Sequence, residues 1–257
     1  MVGFEKERGV GVITLNRPPA NSYNREFVEA LGQAIKQAAE DPEVKVVIVR
    51  SSLERFFSGG ADVKAFAENP PDVNMAMVRR AHEVLNSLAR IPKLFIAEIA
   101  GHALGGGLEI ALACDLRFAA QGEYRLGLPE VTLGLLPGTG GTQRLPRLVG
   151  WGKALELMAS GQTLTPEEAH RLGIVERLYP DRDTLAQETR RFAEALARGA
   201  SLAIAHIKRA VYEGLDRPLE DGLRLERELV EELFRSEDGQ EGVRAFLEKR
   251  QPTFKGK

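Results

Sequence analysis

The 257-residue chain has a single cysteine, Cys114, so no disulfide can form within it, and the chain fits a reducing compartment. Aromatic residues make up only 6%, and they are not interleaved with basic clusters as in a single-strand nucleic-acid binder. Net charge is −2, so no global positive field points to nucleic acid. An anionic ligand must therefore be held by local charges or by backbone N–H groups. No apolar run is long enough to span a bilayer; the longest, around Gly105 to Cys114, is broken by Glu109. The N-terminal stretch lacks a basic-then-apolar signal pattern, and the expectation is a soluble cytoplasmic protein with no membrane partner. His82, His102, His170 and His206 lie far apart, with no HExxH spacing and no cysteine pair, which argues against a zinc site.

What is present is 43% hydrophobic and 28% charged residues, enough to bury a core in one large domain or one domain with an appendage. Val10 to Leu15 reads as a strand, paired with Met1 to Glu7 across Arg8-Gly9. Apolar residues at Phe27, Leu31, Ala34, Ile35 and Ala38 predict a helix over Arg25 to Glu40, and Met77, Ala81, Val84, Leu85 and Leu88 predict another over Asp72 to Ala89. Val44 to Val49, Leu94 to Ile99 and Leu116 to Ala119 read as buried strands, Tyr124 to Leu126 as another short one, and Ile174 to Leu178 as the last. Leu108 to Ala113, Thr142 to Leu148, Trp151 to Ala159 and a segment opened by Pro166 read as helices. From Asp181 onward every long segment has helical period. The apolar stripe of that tail must pack on the main domain or on another subunit.

Three strings carry candidate chemistry. In Gly105-Gly106-Gly107-Leu108-Glu109, glycines allow close approach to the backbone, and the helix start favours negative charge. Glu109 sits between apolar neighbours, where a buried carboxylate has a raised pKa unless it is partnered; the plainer alternative is a first-turn acid. In Gly127-Leu128-Pro129-Glu130-Val131, Pro129 opens a turn or short helix with Glu130 just inside it, again either a first-turn acid or one member of an acid/base pair. In Phe57-Ser58-Gly59-Gly60-Ala61-Asp62-Val63-Lys64, the Ala61 N–H is a candidate for an oxyanion and Lys64 for a phosphate; the alternative is an Asp62 N-cap after a glycine turn. Gly138-Thr139-Gly140-Gly141 completes no dinucleotide fingerprint, and Gly152-Lys153-Ala154 no P-loop. Cys114 reads as a small core residue.

Taken in order, these strings resemble the crotonase (enoyl-CoA hydratase/isomerase) superfamily. The resemblance also includes Asn16-Arg17-Pro18, Gly101-His102-Ala103-Leu104, Leu136-Pro137-Gly138-Thr139-Gly140-Gly141-Thr142-Gln143-Arg144-Leu145 and Ala245-Phe246-Leu247-Glu248-Lys249-Arg250. It implies an α/β fold, a spiral of ββα units over residues 1–195, with a C-terminal helical trimerisation region over residues 196–257. It implies a homotrimer or a hexamer of two trimers, and an acyl-CoA substrate whose coenzyme A is part of the substrate, with no other cofactor and no metal. It places an oxyanion hole at the backbone N–H groups of Ala61 and Gly106, the catalytic acids at Glu109 and Glu130, and coenzyme A contacts at Ala61, Asp62, Val63, Lys64 and Gly106, with Phe246 and Lys249 in the tail. In the hydratase scheme Glu109 activates water and Glu130 protonates the α-carbon. Isomerisation, or a non-catalytic RNA-binding role, are the alternatives within the resemblance; both glutamates and the near-neutral charge favour hydration. The sequence departs from the usual pattern at Asn21-Ser22-Tyr23-Asn24, where Asn-Ala-Leu is commoner, at Leu128, where some relatives have glutamine, and at Gln121 to Tyr124, where some are one residue shorter.

Overall fold

β-branched residues suit a pleated, half-buried surface, and the first two runs of them pair directly. In the computed structural model, which describes residues 1–257, β1 (Val2–Glu7) and β2 (Val10–Leu15) form an antiparallel hairpin. Its turn residues both have positive φ, 50° at Arg8 and 80° at Gly9, the combination whose twist matches a hairpin.

The chain then repeats one pattern three times. A strand of the large sheet is followed within a few residues by a short strand of a second sheet, and then by a helix. The pairs are β3 (Val46–Ser51) with β4 (Phe56–Ser58), β5 (Leu94–Ile99) with β6 (His102–Leu104), and β7 (Leu116–Ala120) with β8 (Leu126–Gly127). With β9 (Thr163–Leu164) and β10 (Arg177–Tyr179), the sheets have the orders β1-β2-β3-β5-β7-β10 and β4-β6-β8-β9. From β2 to β10 the large sheet is parallel, as are β4, β6 and β8 in the small one. Parallel strands need crossovers, and helices supply them: α1 (Arg25–Glu40), α2 (Val63–Glu68), α3 (Pro71–Arg90), α4 (Gly106–Ala113), α5 (Gly141–Val149), α6 (Trp151–Ser160) and α7 (Pro166–Arg171); α8 (Arg182–Ala197) follows the last strand. Three further helices, α9 (Ser201–Leu215), α10 (Leu219–Arg235) and α11 (Glu237–Leu247), complete the chain.

Both faces of the large sheet are covered at its centre, which is why β2, β3 and β5 are apolar on both sides. Ile13, Val47, Val49, Phe95 and Ala97 face a large core with α1, α3 and α4. Val12, Val46, Ile48 and Ile96 face a smaller one closed by Leu185 and Ala193 of α8. The predicted α1 matches its observed span, and Asn24 caps it by accepting from the Phe27 N–H at 3.0 Å.

Three expectations need correction. The last strand is Arg177–Tyr179, not Ile174 to Leu178. Ile174 and Val175 are buried in a turn after α7, where their N–H groups donate to Ala169 O. The helix after the glycine triplet begins at Gly106 rather than Leu108, because Gly105, at φ 52°, turns the chain directly into it. The strand placed at Tyr124 to Leu126 is Leu126–Gly127.

Candidate active site

The small sheet places the candidate residues. β4, β6 and β8 are adjacent and parallel, and Ala61, Gly106 and Glu130 each lie two or three residues beyond the end of one of them. Equivalent positions of three successive repeats therefore converge at one edge.

The glycine triplet makes that convergence sterically possible. A Cβ at Gly105 would lie 3.0 Å from Glu130 Oε1, one at Gly106 would lie 2.2 Å from the Tyr23 hydroxyl oxygen, and one at Gly107 would lie 2.1 Å from Ser58 O. Each glycine thus admits a different neighbour. The third contact is with backbone and cannot be relieved by a side-chain rotation. Gly107→Ala is expected to cost about 3 kcal/mol, lowering the melting temperature by roughly 6–12 °C for a chain of this size. Thermal unfolding followed by circular dichroism checks this; an unchanged midpoint would contradict the contact.

The two amides meet across the same edge. Gly60, at φ 84°, packs against the start of α4: a Cβ there would lie 3.1 Å from Gly106 N. The adjoining Ala61 N–H and the Gly106 N–H donate no hydrogen bond within the chain. Gly106 opens α4, so its N–H stands at the positive end of the helix. The Ala61 loop is held by the segment after β2. Gly59 N donates to Ala20 O at 2.8 Å, Tyr23 N to Gly60 O at 2.8 Å, and Asp62 N to Tyr23 O at 3.0 Å. Buried Asn21 extends its amide nitrogen to Phe57 O at 2.9 Å, and Ser58 donates back to Asn21 O at 2.8 Å. Asp62 caps α2 by accepting from Ala65 N at 3.4 Å and also pairs with Arg17 at 3.2 Å. Burial acts to raise the Asp62 pKa, but the Arg17 guanidinium and the helix amides outweigh it, so the carboxyl sits below its ordinary value.

Glu109 is 1% exposed. The expectation of a buried carboxylate holds, but the group is fully partnered. Oε1 accepts from Thr139 N at 2.8 Å and Gly141 N at 2.7 Å, and Oε2 accepts from the Thr139 hydroxyl. The loop supplying these donors is itself anchored, by His82 Nε2 against Gly138 O at 2.8 Å and by Arg144 donating to Thr139 O at 3.0 Å. Glu130 opens a one-turn 3-10 helix, Glu130–Leu133, behind Pro129, as the sequence suggests. Its Oε2 is buried with no hydrogen-bond partner. Burial is the main cause, and the charge of Glu109 a lesser one, that pushes the Glu130 pKa up to about 7; its own backbone N–H opposes them. A pKa near neutrality suits a group that both gives and takes a proton.

The remaining predicted residues are more peripheral. Val63 and Lys64 lie in the exposed first turn of α2. Phe246, 83% exposed, and Lys249 stand at and just beyond the end of α11, which packs chiefly on α10, so the fold of the chain does not join them to the Glu109 cluster. Cys114 is buried in the core, where desolvation pushes its thiol up to about 12 and leaves it inert. Sequence reasoning gave no role to Thr139, Gly141 or Tyr23. For the first two the signal was the Gly138-Thr139-Gly140-Gly141 run before a helix, a string of amides free to converge on an anion.

The family model described as enoyl-CoA hydratase/isomerase matches residues 5–257. The chain is 45% identical to an enoyl-CoA hydratase from Geobacillus kaustophilus whose crystal structure superposes with a TM-score of 0.97, covering 100% of this chain and 97% of that one. It is 39% identical over 256 residues to a Bacillus subtilis protein named "Probable enoyl-CoA hydratase", covering 99% of this chain and 98% of the relative. It is 37% identical over 253 residues to the Escherichia coli 2,3-dehydroadipyl-CoA hydratase, covering 98% and 97%.

Proposed function

The chain belongs to the enoyl-CoA hydratase/isomerase family, and on that premise we propose that it adds water reversibly across the double bond of a trans-2-enoyl-CoA, giving a 3-hydroxyacyl-CoA. One observation carries the reading: two carboxyl groups, one fully hydrogen-bonded and one with an unpartnered buried oxygen and a pKa near 7, stand beside two unbonded amides.

In this scheme the thioester oxygen accepts from the N–H groups of Ala61 and Gly106. Glu109 takes a proton from water as its oxygen bonds to the β-carbon, and the π electrons move onto the thioester oxygen. Collapse of that enolate takes a proton from Glu130 to the α-carbon. The cycle closes when the proton now on Glu109 passes to Glu130 through solvent. The step is redox-neutral, and every proton has a named carrier, so coenzyme A enters only as part of the substrate. Each preorganised amide is worth roughly 3–4 kcal/mol when negative charge develops on the oxygen. In the same scheme the backbone from Ala61 through Asp62 and Val63 takes the thioester end, and the exposed Lys64 ammonium pairs with a phosphate. Isomerisation would need the oxyanion hole and a single base; the second carboxyl group favours hydration.

Incubation with crotonyl-CoA tests the reading. Loss of the conjugated-thioester absorbance with formation of 3-hydroxybutyryl-CoA supports it. No turnover across a chain-length series of 2-enoyl-CoAs, with conversion of a 3-enoyl-CoA, would replace it with isomerisation.

We assign residues 1–195 to the site-bearing core and 196–257 to subunit assembly. Ile207, Leu215, Phe234 and Leu247 on α9 to α11 are large apolar side chains, all more than half exposed, that this chain leaves uncovered. Light scattering is expected to give the mass of three or six 28.2 kDa chains; a monomer would contradict the assignment. Phe246 and Lys249 would then reach a coenzyme A across that interface.

A further inference from the structure

The two amides that the proposed scheme turns toward the thioester oxygen are each aimed by the far end of their own peptide unit. A trans peptide is planar and its N–H points away from its C=O, so tying the carbonyl fixes the direction of the N–H. The Gly106 N–H shares its peptide with Gly105 O, which accepts from Glu109 N at 3.0 Å within α4. The Ala61 N–H shares its peptide with Gly60 O, which accepts from Tyr23 N at 2.8 Å. One amide is thereby fixed to its helix and the other to Tyr23. The distance and angle between the Ala61 loop and α4 must still be set, and Gly59 and Gly60 bring no side chains to set them.

Tyr23 spans that gap. Its backbone forms a parallel bridge with Ala61, and Asp62 N donates to Tyr23 O at 3.0 Å on the far side. Its side chain crosses to α4, where the ring edge lies over Gly106. A Cβ on Gly106 would be 2.2 Å from both Cε1 and the hydroxyl oxygen and 2.5 Å from Cζ. Tyr23 is buried, in an apolar slot lined by Phe27 and Leu31 of α1, Val84 and Leu85 of α3, and Ile110. Ile110 is one turn beyond Gly106 on the same face of α4. Interiors are close-packed, so a ring held among three helices acts as a fixed spacer.

We infer that Tyr23 is a positioning residue for the oxyanion hole: its backbone aims the Ala61 amide, and its ring, wedged against Gly106, sets the separation of the two donors. This rests on the reading that these amides bind the thioester oxygen, and not on what the two acids then do to the acyl chain. The ring and not the hydroxyl is what counts, because Cε1 and Cζ meet Gly106 without it.

The infrared carbonyl band of bound butyryl-CoA, labelled with carbon-13 at the thioester, reads the hole itself. This thioester is saturated and cannot be hydrated, and hydrogen bonds to its oxygen lower the stretching frequency. In wild type the band is expected below its position in free solution. Tyr23→Phe keeps the ring edge, so it should retain that shift and hold kcat for crotonyl-CoA within about threefold. Tyr23→Ala removes the wedge. It should lose about half of the shift or more and lower kcat about 10–100-fold, with KM within about threefold, because a misplaced donor costs most where charge develops. Tyr23→Leu fills the slot but falls short of Gly106, so its band should lie between the two; it decides the matter if the alanine variant does not fold. A full shift in the alanine and leucine variants, or a shift lost in Tyr23→Phe, would overturn the inference. A wild-type band at its free-solution position would overturn the oxyanion hole and the inference with it. If wild type shifts the band but does not hydrate crotonyl-CoA, the hydratase reading alone fails, and the bands of the variants still decide the role of Tyr23.

Discussion

Replacing Glu109 with glutamine is expected to lower kcat for crotonyl-CoA hydration by about 10³–10⁴-fold, the upper range for loss of a positioned base. The fold should survive. The glutamine oxygen can still accept from Thr139 N and Gly141 N, and the new amide nitrogen faces a Thr139 hydroxyl able to accept. KM should stay within about threefold, because Glu109 makes no contact with the coenzyme A handle in the scheme. Glu109→Leu behaves differently. It strands two buried amides and a hydroxyl, each at a cost of about 1–3 kcal/mol, so it should lose activity and melt several degrees lower. Steady-state kinetics with thermal unfolding separates the two variants. A glutamine variant of wild-type kcat would remove Glu109 from the chemistry.

Glu130→Gln is expected to lower kcat by about 10²–10⁴-fold and to leave a stability signature of opposite sign. Burial, and then the charge of Glu109, raise the Glu130 pKa from 4.5 to about 7. The folded state therefore binds this proton more tightly than the unfolded state does. Its contribution to stability is fully present below the ordinary value and is lost as pH rises through about 7. Wild type should lose more melting temperature between pH 5 and pH 8 than Glu130→Gln, which has no proton to lose. At pH 8 the inactive variant should be the more stable protein, an exchange of stability for activity at a functional carboxyl. Hydration by wild type should also decline above about pH 7, as the acid form of Glu130 is depleted. Parallel melting temperatures for the two proteins across that range would contradict a buried, proton-holding Glu130.

The long elements were legible because burial repeats along them. The face of α1 through Phe27, Leu31 and Ile35 and the run Leu94–Ile99 give clear helical and two-sided strand patterns. Of the small sheet, the sequence showed only a short strand near Leu126. β4, β6 and β8 are two or three residues long, too short for periodicity, and exist because they pair with one another. Without them the sequence could not show that Ala61, Gly106 and Glu130 meet; only the resemblance joined those residues. The three repeats show no fixed period in the sequence, and only the resemblance implied them, because their insertions differ: α2 and α3 separate β4 from β5, whereas α4 alone separates β6 from β7. The partners of Glu109 were hidden for a related reason. Thr139 and Gly141 lie about thirty residues downstream, and their amides act through backbone geometry rather than residue type. Tyr23 was visible only as a departure from a pattern, and the close approach of its ring depends on Gly106 having no side chain.

The central claim is that the ends of three adjacent short strands form one reaction site around a thioester. A crystal structure with 3-hydroxybutyryl-CoA bound tests it most directly. The account predicts the thioester oxygen within hydrogen-bonding distance of both Ala61 N and Gly106 N, and the 3-hydroxyl between the carboxyl groups of Glu109 and Glu130. A thioester oxygen bonded elsewhere, or a hydroxyl touching only one of the two acids, would contradict it.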